Sequence, residues 1–389
     1  MGKRILDQHI AIFGESGSGK TVLLSSFYGL MRQQEMFEKT RLDVVADDQG
    51  QGDRLMQSYL SMSKEGRVPP ANRFTTLPYS FTANFDHTGA SNKRGKYDGL
   101  RFIWHDYPGE WFQETPSTEE ELLERAETFR TLLASDVAIV MIDGERLAAA
   151  AGDEERYLKL LFTNIRNGLL PVVEQIEGGK GLKRFPRIWM FALSKADLIP
   201  AMTANDFRDL VVLKAAHEVD QLRRSLQRVV YGEDAIAVGE DFVLLSSAKF
   251  SRDAIDVEQR IGVDLVMPIA SMLPVERFVR WVQQKHFAVG VVRMLLGGAN
   301  TVAVVIGVVV GFAARFVKAD GRIAAIAQFV AQAVSREQIE ALTKLVDDKL
   351  VIVVEDATAQ GDYLRAALAQ FRIDLEAGEQ QGVLLRSKR

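Results

Sequence analysis

Residues 14–21, Gly-Glu-Ser-Gly-Ser-Gly-Lys-Thr, carry the spacing G-x-x-x-x-G-K-[ST]. Glycines at these positions let the backbone wrap tightly, so that several N–H groups turn inward and can hold a polyphosphate. The lysine adds a positive charge at the β- and γ-phosphates, and the threonine hydroxyl is an oxygen donor of the kind Mg²⁺ selects. The stretch expected to grip a nucleotide is Gly14, Ser16, Gly17, Ser18, Gly19, Lys20, Thr21 and Val22. A second signal is Asp106-Tyr107-Pro108-Gly109-Glu110-Trp111. Here an apolar strand delivers an aspartate, and a glycine follows three residues on. Asp106 is expected at the metal together with Thr21. The Gly109 N–H is expected on the γ-phosphate, which lets the loop sense the loss of that group.

These residues can act together only if regular elements bring them to one place. His9–Phe13 reads as a short buried strand entering the first loop, and Val22–Gln34 as a helix leaving it, with Val22, Leu23, Leu24, Phe27, Leu30 and Met31 apolar. The helix N-terminus adds favourable partial charge. Leu100–His105 is the strand that ends at Asp106; His105 itself reads as packed. Asp136–Ile142 and Arg187–Leu193 are continuous apolar runs, hence central buried strands, with Tyr79–Phe85 and Asp241–Leu245 as further strands. Arg54–Lys64, Thr118–Leu133 and Asp153–Gly168 read as helices, the last able to extend towards Glu177. Thr40–Ala46 is a strand or a helix end, and Asp47–Asp53 a solvated loop. This succession predicts an α/β fold with a mainly parallel sheet flanked by helices.

Composition sets limits. Of 389 residues, 47% are apolar and 26% charged, as in a globular core, and the net charge of −4 gives no argument for nucleic acid as a partner. Cysteine is absent, which excludes a disulfide framework, a zinc–thiolate site and a thiol nucleophile and fits a reducing compartment. No secretory signal precedes the first strand.

Two later strands end in polar turns. One leads to Ser194-Lys195-Ala196-Asp197 and the other to Ser246-Ser247-Ala248-Lys249. A carboxylate at 197 can accept hydrogen bonds from N1–H and the 2-amino group of guanine, donors that adenine lacks in that arrangement. With these turns in order after the phosphate loop, residues 8 to about 250 resemble a GTPase of the class that includes translation factors and Ras-like proteins. Asp106–Trp111 resembles the matching segment of the YcjX-like bacterial stress-protein family. The resemblance implies GTP and GDP as ligands with Mg²⁺. It implies that Lys195 packs on the base and Asp197 reads it, with Ser247, Ala248 and Lys249 forming the loop at guanine O6. Ser194 departs from the usual Asn or Thr. The resemblance also offers Glu110 as the group that positions water and Thr76, or Thr75, as the switch threonine, beside Lys20 in catalysis; an exposed acid and ordinary strand-edge threonines are the alternatives. It further implies a bacterial cytoplasmic protein acting near the inner membrane.

From residue 263 the chain reads as a helical module. No charged residue occurs from Met294 to Ala314, between Arg293 and Arg315. As a helix this segment spans about 32 Å, the thickness of a bilayer core. Ala299, Ala303, Gly307 and Gly311 recur every four residues, a face suited to close helix pairing. Membrane contact and a buried core segment both remain open readings. Met267–His286 and Tyr363–Leu375 are further helices, and Glu379–Arg389 reads as a loose tail. The leading expectation is a Mg²⁺-dependent GTPase switch with an effector protein the sequence does not name. The alternatives are a P-loop ATPase and a membrane-remodelling scaffold controlled by nucleotide.

Overall fold

The computed structural model describes residues 5–40, 42–67, 78–84, 99–106, 109–112, 118–177, 187–229, 236–250, 255–286 and 363–387. In chain order these form β1 (Ile5–Phe13), α1 (Lys20–Met31), α2 (Gln34–Thr40), β2 (Asp43–Ala46), α3 (Gln49–Glu65), β3 (Tyr79–Asn84), β4 (Gly99–His105), a 3₁₀ turn (Gly109–Phe112), α4 (Glu119–Leu133), β5 (Val137–Asp143), α5 (Gly144–Ala149) and α6 (Glu154–Glu177). Then follow β6 (Arg187–Ser194), α7 (Ala204–Gln227), β7 (Ile236–Leu244), β8 (Lys249–Phe250), β9 (Ile255–Asp256), α8 (Val266–His286), α9 (Tyr363–Gln380) and β10 (Leu384–Leu385).

Eight of the strands make one sheet in the order β10-β7-β6-β5-β1-β4-β3-β2. The five central strands β7, β6, β5, β1 and β4 run parallel, whereas β3, β2 and β10 are antiparallel to their neighbours. The parallel strands are the apolar runs of the sequence, as expected where helices cover both faces. Alternate residues of β1 separate the two cores. Leu6, Ile10 and Ile12 pack with Leu23 and Phe27 of α1, Ile269 and Leu273 of α8, and Leu368 and Phe371 of α9. Ala11 and Phe13 face α4, α6 and α7 through Phe129, Phe162 and Phe207. Asp136 ties β1 to β5 at their start: its Oδ2 accepts from His9 N at 2.8 Å, and its own N–H donates to His9 O at 2.9 Å.

The structure corrects several expectations. Asp47–Asp53 is not a loop, because α3 begins at Gln49. Asp48 caps it by accepting from Gln51 N at 2.8 Å, and Gly50 and Gly52 are helical. Gly52 is the small residue that lets α3 lie on Ala46 and Tyr28; an added Cβ would come within 2.8 Å of the Ala46 Cβ. The tail is not loose over its described part. After α9 the chain turns at Gly382, with φ of 72°, and β10 pairs with β7. Beyond 262, the described elements α8, α9 and β10 share the core and sheet of the preceding residues. Fully burying one large apolar side chain contributes roughly 1.5–3 kcal/mol. The apolar faces of α8 and α9 contribute that burial to the same core cluster as β1 and α1. The segment 294–314 lies outside the described residues, and among the described residues no helix is long and apolar enough to cross a membrane.

The C-terminal return is held by a buried ion pair. Asp241 of β7 is fully buried, and Arg277 of α8 donates to both its oxygens at 2.6 and 2.8 Å. Ser387 N donates to Asp241 at 2.8 Å, and Arg386 pairs with Glu276 of α8 at 3.1 Å. Removing one partner of such a pair leaves an uncompensated buried charge. Arg277→Met is expected to cost about 3–5 kcal/mol, read as a lowered midpoint in urea unfolding.

Candidate functional site

Four of the parallel strands end side by side. In the sheet register Ala11 lies opposite His105, Phe13 opposite Val140, and Asp143 opposite Ser194. The next residues on β1 and β4 are Gly14 and Asp106, so the glycine loop, the aspartate and the 143–146 and 194–197 turns emerge along one sheet edge. Ligands of open α/β sheets bind at such a carboxyl edge.

The glycine loop is compact. Gly17 and Gly19 have φ of 83° and 91°, a left-handed conformation that side-chain-bearing residues rarely adopt. Helix α1 starts at Lys20 directly after Gly19. Lys20 is buried, and its Nζ donates to Gly14 O at 2.8 Å and to Glu15 O at 3.2 Å. The ammonium therefore lies across the loop rather than in solvent. Ser18 is buried behind Gly14, whose added Cβ would come within 2.6 Å of Ser18 Oγ. Ser16 meets a guanidinium: Arg146 donates to its carbonyl at 3.1 Å and to the Glu15 carboxylate at 2.6 Å. Thr21 sits in the first turn of α1, and Val22 packs against a small apolar cluster containing Tyr59, Met62, Ala248 and Val257.

Asp106 is 5% exposed at the end of β4. Its charge reaches the neighbouring strand: burial, and secondarily the Asp106 carboxylate, hold the Tyr79 phenol above its ordinary range. Gly109 lies against the glycine loop. A Cβ built on it would come 2.4 Å from Ser16 N and 2.8 Å from Lys20 Nζ, so glycine is what permits this approach. Gly109 and Glu110 belong to one 3₁₀ turn, which is anchored through Trp111. The Trp111 ring meets Phe129 of α4 edge-on at 6.2 Å, and Arg125 lies 5.4 Å from its centre and donates to Trp111 O at 3.1 Å. His105 is packed, with its ring stacked on that of His9 and Nε2 2.9 Å from His9 Nδ1. Thr75 and Thr76 lie outside the described residues.

The two later turns meet each other. Ala196 N donates to Leu245 O at 3.1 Å and Leu245 N to Leu193 O at 2.8 Å. Ser246 Oγ lies 2.6 Å from Asp197 Oδ1 and 2.8 Å from Ala248 O, and its one proton serves either acceptor. Lys195 has φ of 50°, the one left-handed non-glycine residue among those described, a strain found mostly where function requires it. Its ammonium bonds Asp143 at 3.0 Å and Glu145 at 2.7 Å. Burial opposes its charge, but these two hydrogen-bonded acids prevail and hold its pKa above the ordinary lysine value. Ser194 Oγ donates to Ile142 O at 3.2 Å. Ala248 is buried, Ser247 is half-buried, and Lys249 is exposed in β8 opposite Asp256.

The sequence reading missed Asp143-Gly144-Glu145-Arg146. Its signal was a charged turn containing glycine, directly after the most apolar strand and hence at the sheet edge that also carries the glycine loop.

The residues present fit a guanine nucleotide with Mg²⁺. The loop offers N–H groups and one ammonium to phosphates, Thr21 and Asp106 are oxygen donors suited to a hard divalent ion, and Asp197 is a carboxylate beside a buried alanine turn.

Among solved structures the chain is similar to the signal recognition particle receptor SRb-GTP/SRX complex from Chaetomium thermophilum, at 17% identity and a TM-score of 0.31, covering 63% of this chain and 93% of that one. It is also similar to the Ski7 GTPase-like domain of S. cerevisiae, crystallised with GTP, at 17% identity and a TM-score of 0.28, covering 62% and 43%. A bacterial dynamin pair described as sensing and tethering membranes matches at 11% identity and a TM-score of 0.23, covering 97% and 46%. Likenesses this distant say nothing of ligand or partner. No curated protein matches the chain. The model of the family Double-GTPase 2 matches residues 8–229, and the chain therefore belongs to that family, a GTP-binding member of the P-loop GTPase class.

Proposed function

We propose that this protein is a Mg²⁺-dependent, GTP-hydrolysing switch. The observation that carries the proposal is the position of Gly109, close enough to Ser16 N and Lys20 Nζ that no side chain fits between them. A turn seated there can tell whether a terminal phosphate is present, and its anchor on α4 through Trp111 passes the difference to a surface helix. In this reading Gly14, Ser16, Gly17, Ser18, Gly19 and Val22 line the phosphates with their backbone, and Lys20 supplies charge. Thr21 and Asp106 hold Mg²⁺, which when bound neutralises charge developing on the phosphates. Glu110 orients the attacking water, and Thr76 closes on the metal side. Lys195, Asp197, Ser247, Ala248 and Lys249 form the base pocket.

Support for guanine comes from Ser246, which joins Asp197 to the Ala248 carbonyl and so holds the two turns as one unit. The Asp106–Trp111 segment supports a likeness to the YcjX-like proteins, and the two base turns one to the translation-factor and Ras-like class. The uncharged run 294–314 supports action at a bacterial inner membrane from the cytoplasmic side, through an effector identified by neither sequence nor fold. Flotation of the full chain with anionic vesicles tests this: it is expected to float, and to stay in the dense fraction when Gly307 and Val308 are replaced by Asp.

Two substitutions test the nucleotide reading. Hydrogen bonds to a charged group contribute roughly 1.5–3 kcal/mol each. Losing two in Asp197→Ala is expected to weaken GDP binding at least about 100-fold while leaving ADP binding weak and unchanged; equal GDP and ADP affinity in the unaltered chain would sink the guanine assignment. Gly109→Ala forces the turn off Lys20. Hydrolysis of GTP is expected to fall about 100-fold, with GDP affinity much less affected, as measured by phosphate release and by fluorescent GDP titration.

A further inference from the structure

Glu15 puts a negative charge inside a loop meant for polyphosphate, which by itself opposes binding. It is 7% exposed, so solvent screens it poorly. Arg146, on the first turn of α5, answers that charge with one arm of its guanidinium at 2.6 Å and takes the Ser16 carbonyl with the other at 3.1 Å. The same residue, Glu15, uses its main-chain oxygen to accept from Lys20 at 3.2 Å. Arg146 is thus joined to the lysine through one residue.

The second arm matters for direction. A trans peptide carries its C=O and the next N–H on opposite sides. With the Ser16 carbonyl turned to Arg146, the Gly17 N–H is turned away from it. Gly17 has a φ of 83°, so the peptide on either side of it would otherwise be easy to flip.

The turn that bears Arg146 is itself fixed. Gly144 packs so closely on the 194–197 turn that an added Cβ would come within 2.4 Å of Ser194 O. Asp143 and Glu145 hold the Lys195 ammonium, and Asp143 also caps α5 by accepting from Glu145 N at 2.9 Å. Arg146 is therefore delivered to the glycine loop from a base tied to the other half of the site.

We propose that Arg146 is a positioning residue for phosphate recognition, which neutralises Glu15 and fixes the Ser16–Gly17 peptide so that the loop accepts a diphosphate. The inference rests on the nucleotide-binding reading above. It assigns no contact between the guanidinium and a phosphate; the effect runs through Glu15 and Ser16.

The test compares GDP with guanosine in the full chain, using the ratio of the two affinities as readout, because general loosening of the fold lowers both. Arg146→Gln is expected to lower the ratio about tenfold or more. Glu15→Gln/Arg146→Gln together are expected to restore part of it, since the carboxylate charge is gone while the Ser16 carbonyl still lacks its donor. Arg146→Lys is expected to fall between, because lysine supplies charge without the two-armed fork. An unchanged ratio in Arg146→Gln overturns the inference. A double variant as poor as the single one also overturns it, because the loss would then owe nothing to the Glu15 carboxylate. Should Arg146→Gln fail to fold, Arg146→Lys is measured with and without Glu15→Gln: a ratio lowered in Arg146→Lys and raised again by Glu15→Gln supports the inference, and any other result overturns it. An unaltered chain that binds guanosine as well as GDP removes the nucleotide reading itself, and the inference with it.

Discussion

Parallel pairing of β1 with both β4 and β5 is the constraint on which the site depends. Parallel strands finish at the same edge, and here that edge receives the glycine loop, Asp106 and the Asp143 turn within neighbouring positions. Extending the register to β6 and β7 adds the 194–197 and 245–248 turns. None of these loops has to search for its partners, because the hydrogen-bond ladder sets their spacing before any loop contact forms. The helices serve the same end. They bury both faces of the sheet, and apolar side chains on both faces are what keeps a parallel sheet dry.

Charge in the site is managed by pairing rather than by exposure. Lys20 lies on carbonyl oxygens of its own loop, Lys195 on two acids, and Glu15 on a guanidinium. The two acids on Lys195 and the guanidinium on Glu15 all come from residues 143–146, so one segment balances the base side and the phosphate side at once. A buried charge without such a partner is expensive, and the pairing explains why the loop tolerates a glutamate where a neutral residue would be simpler.

Much of this was legible in the sequence. The G-x-x-x-x-G-K-T spacing and the apolar runs around it predicted β1, α1, β4, β5 and β6 to within a few residues, because elements buried on all sides leave continuous apolar runs. Asp197 and Ala248 were placed together by order alone. What was not legible depended on tertiary packing. The glycines of Gln49–Gly52 look like a loop until Ala46 and Tyr28 are seen to require small residues against them. The polar tail Glu379–Arg389 looks unstructured because its partners Glu276 and Asp241 lie more than a hundred residues earlier. Arg146 carried no motif at all; only the adjacency of β1 and β5 gives it a role.

The return of the chain at α9 and β10 has a consequence for cleavage of the chain. Helix α8 precedes residues 287–362 in the chain, whereas β7 takes its edge partner, and Asp241 its Ser387 contact, from residues that follow them. The core is therefore built from both sides of 287–362, which is tethered at each end. A protease cut within that stretch would leave two polypeptides held together by the shared core.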